Sequence, residues 1–569
     1  MRGIRTPPED STMSALSDEK KVALPAPDEG VAHSESSRHH EGLHRNIGSR
    51  QIQLFAIGGS IGTALFVSIG SALYSAGPAG LLLAFTIYCC LLALVNNAMA
   101  EMGTYMPISG GFVRLAKHWV GEGFGFMAGV NFYLYEALTI PFEITALNIV
   151  LSYWRDDIPI GAVCACAIVA YFVINVSAVK YYGEAEFWLS SGKVLLFLIL
   201  FCFTFITMAG GNPKKDAFGF RNWQNPGPFS TKGDQSSLSQ FQGFLSALFY
   251  ASLIIVGPEY ISMVSGEARR PTRDIKKAYK TIYYRFAFFF IGGALCVGIL
   301  IPSNHPTLAA LAAGTGEGSG TAAASPYVIA MKELNVSVLP HLVNALLFTS
   351  IFSAGNTYVY CATRNLYSLS LEGQVPRFFS YCTKNGVPIY CLLVTMLFPC
   401  LSLLGLSNSS AVVIDWFVNL LTSGAYVNFA VMCFTYIRFY KACKVQGLDR
   451  SSLPYRGWFQ PYSSWFVLGA LIVIALCSGY TMFLPGKFSV DFFMTNYVML
   501  IIAAVSYLGW TLVKRAKFVI GSGDVDLVWL RPEVLEYEET LPHDDGLEIF
   551  TKARQLFSCG KWRKNTTAA

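Results

Sequence analysis

The sequence predicts an all-α integral membrane protein with twelve transmembrane helices. Of its 569 residues, 53% are hydrophobic and 14% are charged, against roughly 25% charged residues in ordinary soluble domains. The mean hydropathy of +0.44 agrees with this composition. Apolar windows also recur along the chain, and each is close to the roughly 20 residues that a helix needs to cross a bilayer.

The apolar windows separate a membrane domain from two polar tails. Residues 1–45 are rich in Ser, Pro, Glu, Asp and His and are predicted to form a disordered tail, and residues 515–569 form the second tail. The membrane domain is predicted over residues 46–514. Its twelve windows are 52–71, 80–100, 125–153, 160–179, 187–208, 241–264, 284–302, 336–363, 388–407, 412–436, 464–484 and 493–513.

Basic residues are distributed unequally between the two sets of loops. The loops on the side of the N-terminal tail carry 18 Lys and Arg residues, whereas the opposite loops carry 7. Cytoplasmic loops of membrane proteins have an excess of Lys and Arg, and an even number of spans places both termini on one side. Both termini are therefore predicted to be cytoplasmic. The net charge of +6 reflects the same bias and does not indicate a nucleic-acid partner.

Several classes of catalytic protein are disfavoured. No loop between the predicted spans reaches the ~50 residues of a folded domain, so the chemistry must lie among the helices. The 14 cysteines form no CxxC pair, which argues against a zinc or redox site, and we expect no metal and no cofactor. The stretch Gly58 to Gly62 matches the hydrolase motif GxSxG, but that motif requires a preceding strand and a histidine partner.

The first span contains helix-weakening residues at its centre. In "FAIGGSIGTALFVSIG", residues 55–70, three glycines and a Ser–Thr pair interrupt an apolar run, although each glycine costs about 1 kcal/mol relative to alanine in a helix. One interpretation is a helix-packing face of the GxxxG type. The sharper interpretation is a helix that unwinds at mid-membrane, so that free N–H groups and the positive end of the second half-helix bind an anion such as a carboxylate.

The sixth span contains a second interruption. In "FLSALFYASLIIVGPEYISMVSGEARRP", residues 244–271, Gly257 and Pro258 break the apolar run and Glu259 follows at once. Proline removes a helical hydrogen bond and kinks the chain. Interrupted spans that lie five spans apart predict a five-plus-five inverted repeat with two extra helices.

Ionisable residues inside the spans are the next candidates, because burying them is costly and usually serves a function. Glu143 lies in the third span, Lys193 in the fifth and Glu259 beside the second interruption. An internal structural ion pair is the alternative for these residues. Glu136 and Asp415 lie closer to the ends of their predicted spans and are weaker candidates.

Several long segments resemble the fungal amino-acid permeases of the amino acid–polyamine–organocation superfamily, the yeast amino acid transporter family. The resemblance extends from about residue 44 to about residue 517. It is carried by "IGGSIGTALFVSIG", "AEMGTYMPISGGFVRLAKHWVGEGFGFMAG" and "GEAEFWLSSGKV", and by the eighth span with its following loop. The resemblance implies a leucine-transporter-like fold, proton-coupled uptake of an L-amino acid and a plasma-membrane location in a fungus.

The resemblance also implies functional residues. In the family, the unwound first helix holds the substrate carboxylate, the unwound sixth helix receives the amino group, and buried ionisable groups couple transport to protons. The implied proton-coupling residues are Glu259, Glu143 and Lys193. The candidate substrate-binding residues are Gly59, Ser60, Ile61, Gly62, Thr63, Leu253, Ile254, Ile255 and Asn356. Many relatives have an aromatic residue near Leu253–Ile255, so the resemblance does not imply one particular amino acid.

The expected partners are an L-amino acid, protons and the lipid bilayer. By resemblance, ubiquitin ligase or arrestin machinery acts on the cytoplasmic tails, where Lys20 and Lys21 are candidate ubiquitination sites. Two other functions remain open. A receptor on the same fold would signal amino-acid availability, although such sensors carry a large cytoplasmic extension. A channel would need a ring of like charges or a carbonyl filter, and neither is visible.

Overall fold

Helices account for the regular secondary structure of the part of the chain that the structure describes, apart from one isolated bridge between Ile47 and Ala268. The computed structural model describes residue 45 and residues 47–155, 157–177, 179–230, 236–313, 325–406, 410–483, 485–486 and 488–541. These residues belong to one structural unit, Leu43–Ala569. The predictions for Lys20, Lys21 and residues 1–44 of the N-terminal tail lie outside the described residues.

The helices follow the apolar windows of the sequence. Those of the first half are α1 Ser49–Ser60, α2 Ile69–Tyr105, α3 Gly111–Trp119, α4 Glu122–Leu151, α5 Ile160–Val176, α6 Val179–Met208, α7 Arg221–Gln224, α8 Ser237–Ile254, α9 Pro258–Val264 and α10 Pro271–Arg285. Those of the second half are α11 Gly292–Leu300, α12 Pro306–Ala313, α13 Pro326–Glu333, α14 Leu339–Leu371, α15 Ile389–Thr395, α16 Ser410–Val445, α17 Tyr462–Cys477, α18 Val490–Lys514 and α19 Arg531–Glu539.

Nine helical stretches within the described ranges are long and apolar enough to cross a membrane, and this confirms a multi-pass membrane protein. They are Ala64–Tyr105, Glu122–Leu151, Gly183–Met208, Ser237–Glu267, Pro271–Leu300, Leu339–Leu371, Ile389–Leu406, Val413–Val445 and Phe492–Lys514. Two shorter apolar helices, α5 and α17, correspond to the fourth and eleventh predicted spans. The count of twelve spans and the inverted repeat stay predictions.

The first two predicted spans meet at a kink. The second half of the first span continues through a π-helical turn, Ala64–Ser68, into the start of α2, and two helices meet within α2 at Gly77. The backbone leaves helical geometry at Gly77, with φ of 77° and ψ of 171°, directly before Pro78. A positive φ favours glycine, and a Cβ atom at Gly77 would lie 2.6 Å from the backbone nitrogen of Ser230.

Two helices at the centre of the bundle position the interrupted segments. The helices α4 and α14 pack against each other over much of their length, and α1 packs against α6 and α14. One end of the bundle carries α3, the start of α10 and the C-terminal segment 516–541, and we call it the basic side. There the Tyr105 hydroxyl donates to the Leu527 carbonyl at 3.0 Å, and the backbone N–H of Thr272 donates to Glu538 at 2.7 Å.

Candidate functional site

The first interruption lies in the buried centre of the bundle. Helix α1 ends at Ser60, Ile61 is extended with φ of −120° and ψ of 97°, and helical structure resumes after Thr63. The side chain of Ser60 turns back onto its own helix, where Oγ donates to the Ala56 carbonyl at 2.8 Å. The predicted unwinding of the first span is therefore present, and it creates two half-helix ends away from solvent.

Lys193 satisfies the first of these ends. Its Nζ donates to the carbonyls of Gly58 at 2.6 Å and Ile61 at 2.7 Å, and the side chain is completely buried. The last carbonyls of a helix have no partner within the helix and carry a partial negative charge. The ammonium group on α6 therefore stabilises the C-terminal end of α1 at the break.

Glu143 occupies the opposite end of the break. Its carboxylate accepts hydrogen bonds from the Thr63 backbone N–H at 3.2 Å and from the Thr63 hydroxyl at 2.6 Å. The side chain is 1% exposed. The N-terminal end of a half-helix attracts anions, and this is the place where a substrate carboxylate was expected. In this conformation a carboxylate of the protein itself accepts the Thr63 N–H.

A second buried carboxylate, Glu186, belongs to the same cluster and was missed in the sequence. Its Oε1 accepts hydrogen bonds from Ser353 at 2.6 Å and Ser190 at 2.8 Å, and both Glu186 and Glu143 attract the Lys193 ammonium electrostatically. A Cβ atom at Gly58 would overlap Glu186 Oε1. Glu186 lies seven residues before Lys193, a spacing that places both on one helix face, and this spacing could have revealed it.

The second interruption packs directly against the first. Helix α8 ends at Ile254, Ile255 is extended, and α9 begins at Pro258. The carboxylate of the buried Glu259 accepts the Gly257 backbone N–H at 3.1 Å.

Two tyrosines contact Gly59 of the first interruption: Tyr260, from α9 at the second interruption, and Tyr358, from α14. The ring of Tyr260 lies so close to Gly59 that a Cβ atom there would be 2.8 Å from Tyr260 Cδ1, and the Tyr358 hydroxyl donates to the Gly59 carbonyl at 3.0 Å.

A small cavity of about 20 Å³ lies between the two breaks. This is room for about one water molecule, far below the roughly 300 Å³ at which ligand pockets begin, so the cavity has to widen before an amino acid can bind. Its lining combines hydroxyl groups and Glu143 with apolar side chains. The lining residues are Ser60, Gly62, Ala64, Leu65, Tyr135, Thr139, Phe142, Glu143, Leu253, Ile254, Val256 and Tyr358.

The structure brings some of the predicted site residues to this cavity and places others nearby. Ser60, Gly62, Leu253, Ile254 and Glu143 line it. The remaining residues of the two breaks, Gly59, Ile61, Thr63 and Ile255, lie beside the cavity without lining it, as do Lys193 and Glu259.

Asn356, which was predicted to bind substrate, does not line this cavity. It is on α14, facing α5, where its Oδ1 accepts a hydrogen bond from Asn175 Nδ2 at 2.8 Å.

The two weaker candidates occupy separate places. Asp415 lies in a polar cleft lined also by Gln242, Asn419 and Asn496. Glu136 was expected closer to the end of its span, but it lies near the middle of the 30-residue helix α4 and is completely buried. The predicted span began three residues later than α4 and ended two residues later, so the depth of Glu136 was underestimated.

A second charged cluster lies on the basic side, outside the apolar spans. Glu372 contacts Arg114 Nε and Lys117 Nζ, each at 2.6 Å, and His118 Nε2 at 3.1 Å. Burial alone raises the pKa of Glu372, but the hydrogen bond with His118 and the charges of Arg114 and Lys117 outweigh it and hold that pKa well below its usual value. Burial lowers the pKa of His118, whose ring stacks on Trp529 with centroids 3.5 Å apart. The cluster joins the end of α14 to α3 and the C-terminal segment.

Comparisons with known proteins agree on one family. A model of the amino acid permease family matches residues 51–519. The general amino acid permease AGP2 of Saccharomyces cerevisiae is 44% identical over 479 residues, which cover 83% of this chain and 80% of that protein. The proline-specific permease of Emericella nidulans is 35% identical over 497 residues, which cover 87% of this chain and 90% of that protein.

A solved structure has a similar fold. The crystal structure of a mutant of the Eremococcus coleocola manganese transporter matches with a TM-score of 0.53, over 82% of this chain and 94% of that chain. The two sequences are 13% identical, so this likeness concerns the fold alone.

Proposed function

Since the chain belongs to the amino acid permease family, whose members are transporters and not enzymes, we propose that it takes up L-amino acids by proton-coupled alternating access. In this proposal the protein lies in the plasma membrane of a fungus, and the basic side, with both termini, faces the cytoplasm. The excess of Lys and Arg in the loops of that side supports this orientation.

The cavity between the two breaks is the proposed substrate site. Its lining includes the polar side chains of Ser60, Thr139 and Glu143. Leu253, Ile254 and Phe142 are among its apolar lining residues. In the proposal, the substrate carboxylate binds at the half-helix end near Thr63, and the amino group binds carbonyls of the second break. Such a lining favours an amino acid with an uncharged side chain.

The observation that carries the proton-coupling proposal is the position of Glu143. Its carboxylate accepts the Thr63 N–H, and a substrate carboxylate binding there would have to displace it. Two carboxylates close together cannot both remain charged without a strong cost. Protonation of Glu143 removes its charge, weakens its hold on Thr63 and makes room for the substrate. Proton binding and substrate binding then favour each other.

Lys193 has a related role in the proposal. It holds the carbonyls at the end of α1 and is attracted by Glu143. When Glu143 is protonated, its attraction for Lys193 is lost, and Glu186 becomes the main negative group that attracts the Lys193 ammonium. In the proposal, this shift of Lys193 toward Glu186 weakens its hydrogen bonds to α1 and loosens the contact between α1 and α6. The five-plus-five repeat would convert this local change into opening toward the cytoplasm.

Transport measurements in vesicles test the proposal. Purified protein is reconstituted, and accumulation of labelled amino acids from a panel that includes proline is followed with and without an inward proton gradient at clamped membrane potential. We expect gradient-driven accumulation in the wild type. In Glu143→Gln we expect exchange without pH-dependent accumulation. Wild-type pH dependence in Glu143→Gln, with loss in Glu259→Gln instead, would transfer the role to Glu259.

The same assay separates a transporter from a receptor on the same fold. A receptor binds amino acids without moving them, so substrate binding in detergent combined with no flux in vesicles would contradict the proposal.

A further inference from the structure

Glu136 is a buried carboxyl group that the proposed mechanism does not yet use. It lies near the middle of α4, its side chain is completely buried, and neither carboxylate oxygen has a hydrogen-bond partner among the described residues. A buried carboxylate without a partner costs several kcal/mol, and the usual outcome is that the group takes up a proton. The presence of a carboxyl group at this position is therefore not explained by packing.

The groups that surround Glu136 increase this cost. Its strongest electrostatic neighbour is Glu259, a second buried carboxyl group. The other titratable groups that feel its charge are Tyr135 on its own helix, Tyr260 on α9, and Tyr358 and Cys361 on α14.

None of these neighbours is a cation, so nothing among the described groups that interact with Glu136 offsets a negative charge there. Neighbouring like charges disfavour double ionisation, so simultaneous charging of Glu136 and Glu259 is disfavoured in this conformation.

The pair lies between the cavity and the basic side. Helix α4 begins on the basic side at Glu122, and Glu136 is seven residues closer to that side than Glu143, a rise of about 10 Å along the helix. Tyr135 and Tyr358 line the cavity, whereas Glu136 and Glu259 do not. The carboxyl pair is therefore outside the lining of the substrate site, whereas two tyrosines that interact with Glu136 belong to that lining.

We propose that Glu136 and Glu259 share one proton in the closed conformation and release it on the basic side during each transport cycle. This rests on the proposed function and deepens it, because it adds a residue and a location for proton release. When the basic side opens, water reaches the pair, an O–H bond of the protonated carboxyl breaks, and the proton passes to a water molecule. Both groups are then carboxylates, and water in the open conformation stabilises the second charge, which the closed conformation disfavours.

The test compares Glu136→Gln with the wild type in proteoliposomes. Glutamine has the shape of a protonated carboxyl group but cannot release a proton. We expect Glu136→Gln to lose at least tenfold of the accumulation ratio driven by an inward proton gradient, while exchange at equal pH stays within twofold of the wild type. Glu122→Gln, on the exposed first turn of the same helix, is the matched control and should behave as the wild type.

The outcomes are distinguishable. If the wild type accumulates substrate with the proton gradient and Glu136→Gln does so equally well, the carboxyl-pair proposal alone falls. If the wild type shows no gradient-driven accumulation, the proposed coupling and the carboxyl pair fall together. A loss confined to exchange of lysine and arginine would assign Glu136 to a cationic side chain of the substrate and overturn proton release.

The melting temperature of the purified protein distinguishes a loss of proton coupling from a loss of folding in Glu136→Gln. Glutamine keeps the shape of the protonated carboxyl group and carries no charge that Glu259 could repel, so Glu136→Gln should melt at the wild-type temperature or above it. A much lower melting temperature would show that the carboxylate stabilises the fold, and that result would also overturn the proposal.

Discussion

A side chain added at Gly62 should separate Glu143 from the first break. A Cβ atom at this position would overlap Glu143 Oε1 and would lie 3.1 Å from the Cβ atom of Ala354 on α14. Because α14 blocks one direction, the carboxylate has to move, and it then loses its hydrogen bonds from the Thr63 N–H and hydroxyl. We expect Gly62→Val to abolish uptake, because a β-branched side chain also resists unwinding.

The magnitude follows from the two hydrogen bonds. A buried hydrogen bond to a charged group contributes about 1.5–3 kcal/mol, so losing both costs about 3–6 kcal/mol. Since about 1.4 kcal/mol corresponds to a factor of ten, the arrangement in which Glu143 holds the break becomes at least about 100-fold rarer, and the proposed exchange of Glu143 for the substrate carboxylate is lost with it. Gly62→Ala, which adds the Cβ atom alone, should lower the initial uptake rate by about this factor.

The assay measures initial uptake of labelled amino acid in cells that lack other permeases, normalised to protein at the cell surface. Gly469→Val is the control, because Gly469 is exposed on α17 and a Cβ atom there meets nothing within 4 Å. The control should keep wild-type uptake. Wild-type kinetics in a well-expressed Gly62→Val protein would refute the role of the first break.

Four further outcomes are expected. Lys193→Met removes the cation that donates hydrogen bonds to the end of α1. Removing one partner of a buried charge pair costs about 3–5 kcal/mol, so uptake should fall at least about 100-fold. Uptake within tenfold of the wild type would contradict this role of Lys193. Glu372→Gln removes the carboxylate that contacts Arg114 and Lys117 on the basic side and should destabilise the protein by about 3 kcal/mol at pH 7. The folded-state pKa of Glu372 is lowered, so the ionised carboxylate stabilises the folded protein fully above the unfolded pKa of about 4.3, and this stabilisation fades as the pH falls below that value. The melting temperatures of the wild type and the variant should therefore converge in acid. A difference that stays constant down to acidic pH would contradict the assignment. Amides and decarboxylated amines of a transported amino acid should compete poorly in uptake assays, because backbone N–H donors recognise the carboxylate; an amine that competes as well as its parent acid would count against the site. Replacing Lys20 and Lys21 with arginine should slow removal of the protein from the membrane after a nitrogen shift, measured by surface labelling, and unchanged turnover would end the proposed ubiquitination there.

Local sequence was sufficient for the membrane character and for the two breaks. Each apolar window is a continuous run, and a helix in lipid must satisfy its own backbone hydrogen bonds, so window and helix largely coincide. Gly58–Gly62 and Gly257–Pro258 weaken the helix through their own backbone properties, and α1 ends at Ser60 and α8 at Ile254 as expected. The kink at Gly77 and Pro78 lies between the first two predicted windows, 52–71 and 80–100, and separates two helices there.

The assignment of each buried charge was decided by tertiary structure. Glu143 meets Thr63 across 80 residues of sequence, and Glu186 meets Ser353 across 167; no local pattern specifies such partners. The sequence by itself determined which residues are ionisable and placed Glu143, Lys193 and Glu259 within or beside predicted spans, but it placed Glu136 too close to the end of its span. Only the packing of α4, α6, α9 and α14 around the breaks decided that Glu143 and Lys193 satisfy the two half-helix ends. The same packing leaves Glu136 near Glu259 with no hydrogen-bond partner among the residues that the structure describes. The physical reason is that the energy of a buried charge depends on the groups within a few ångströms of it, and in a helical bundle most of those groups come from other helices.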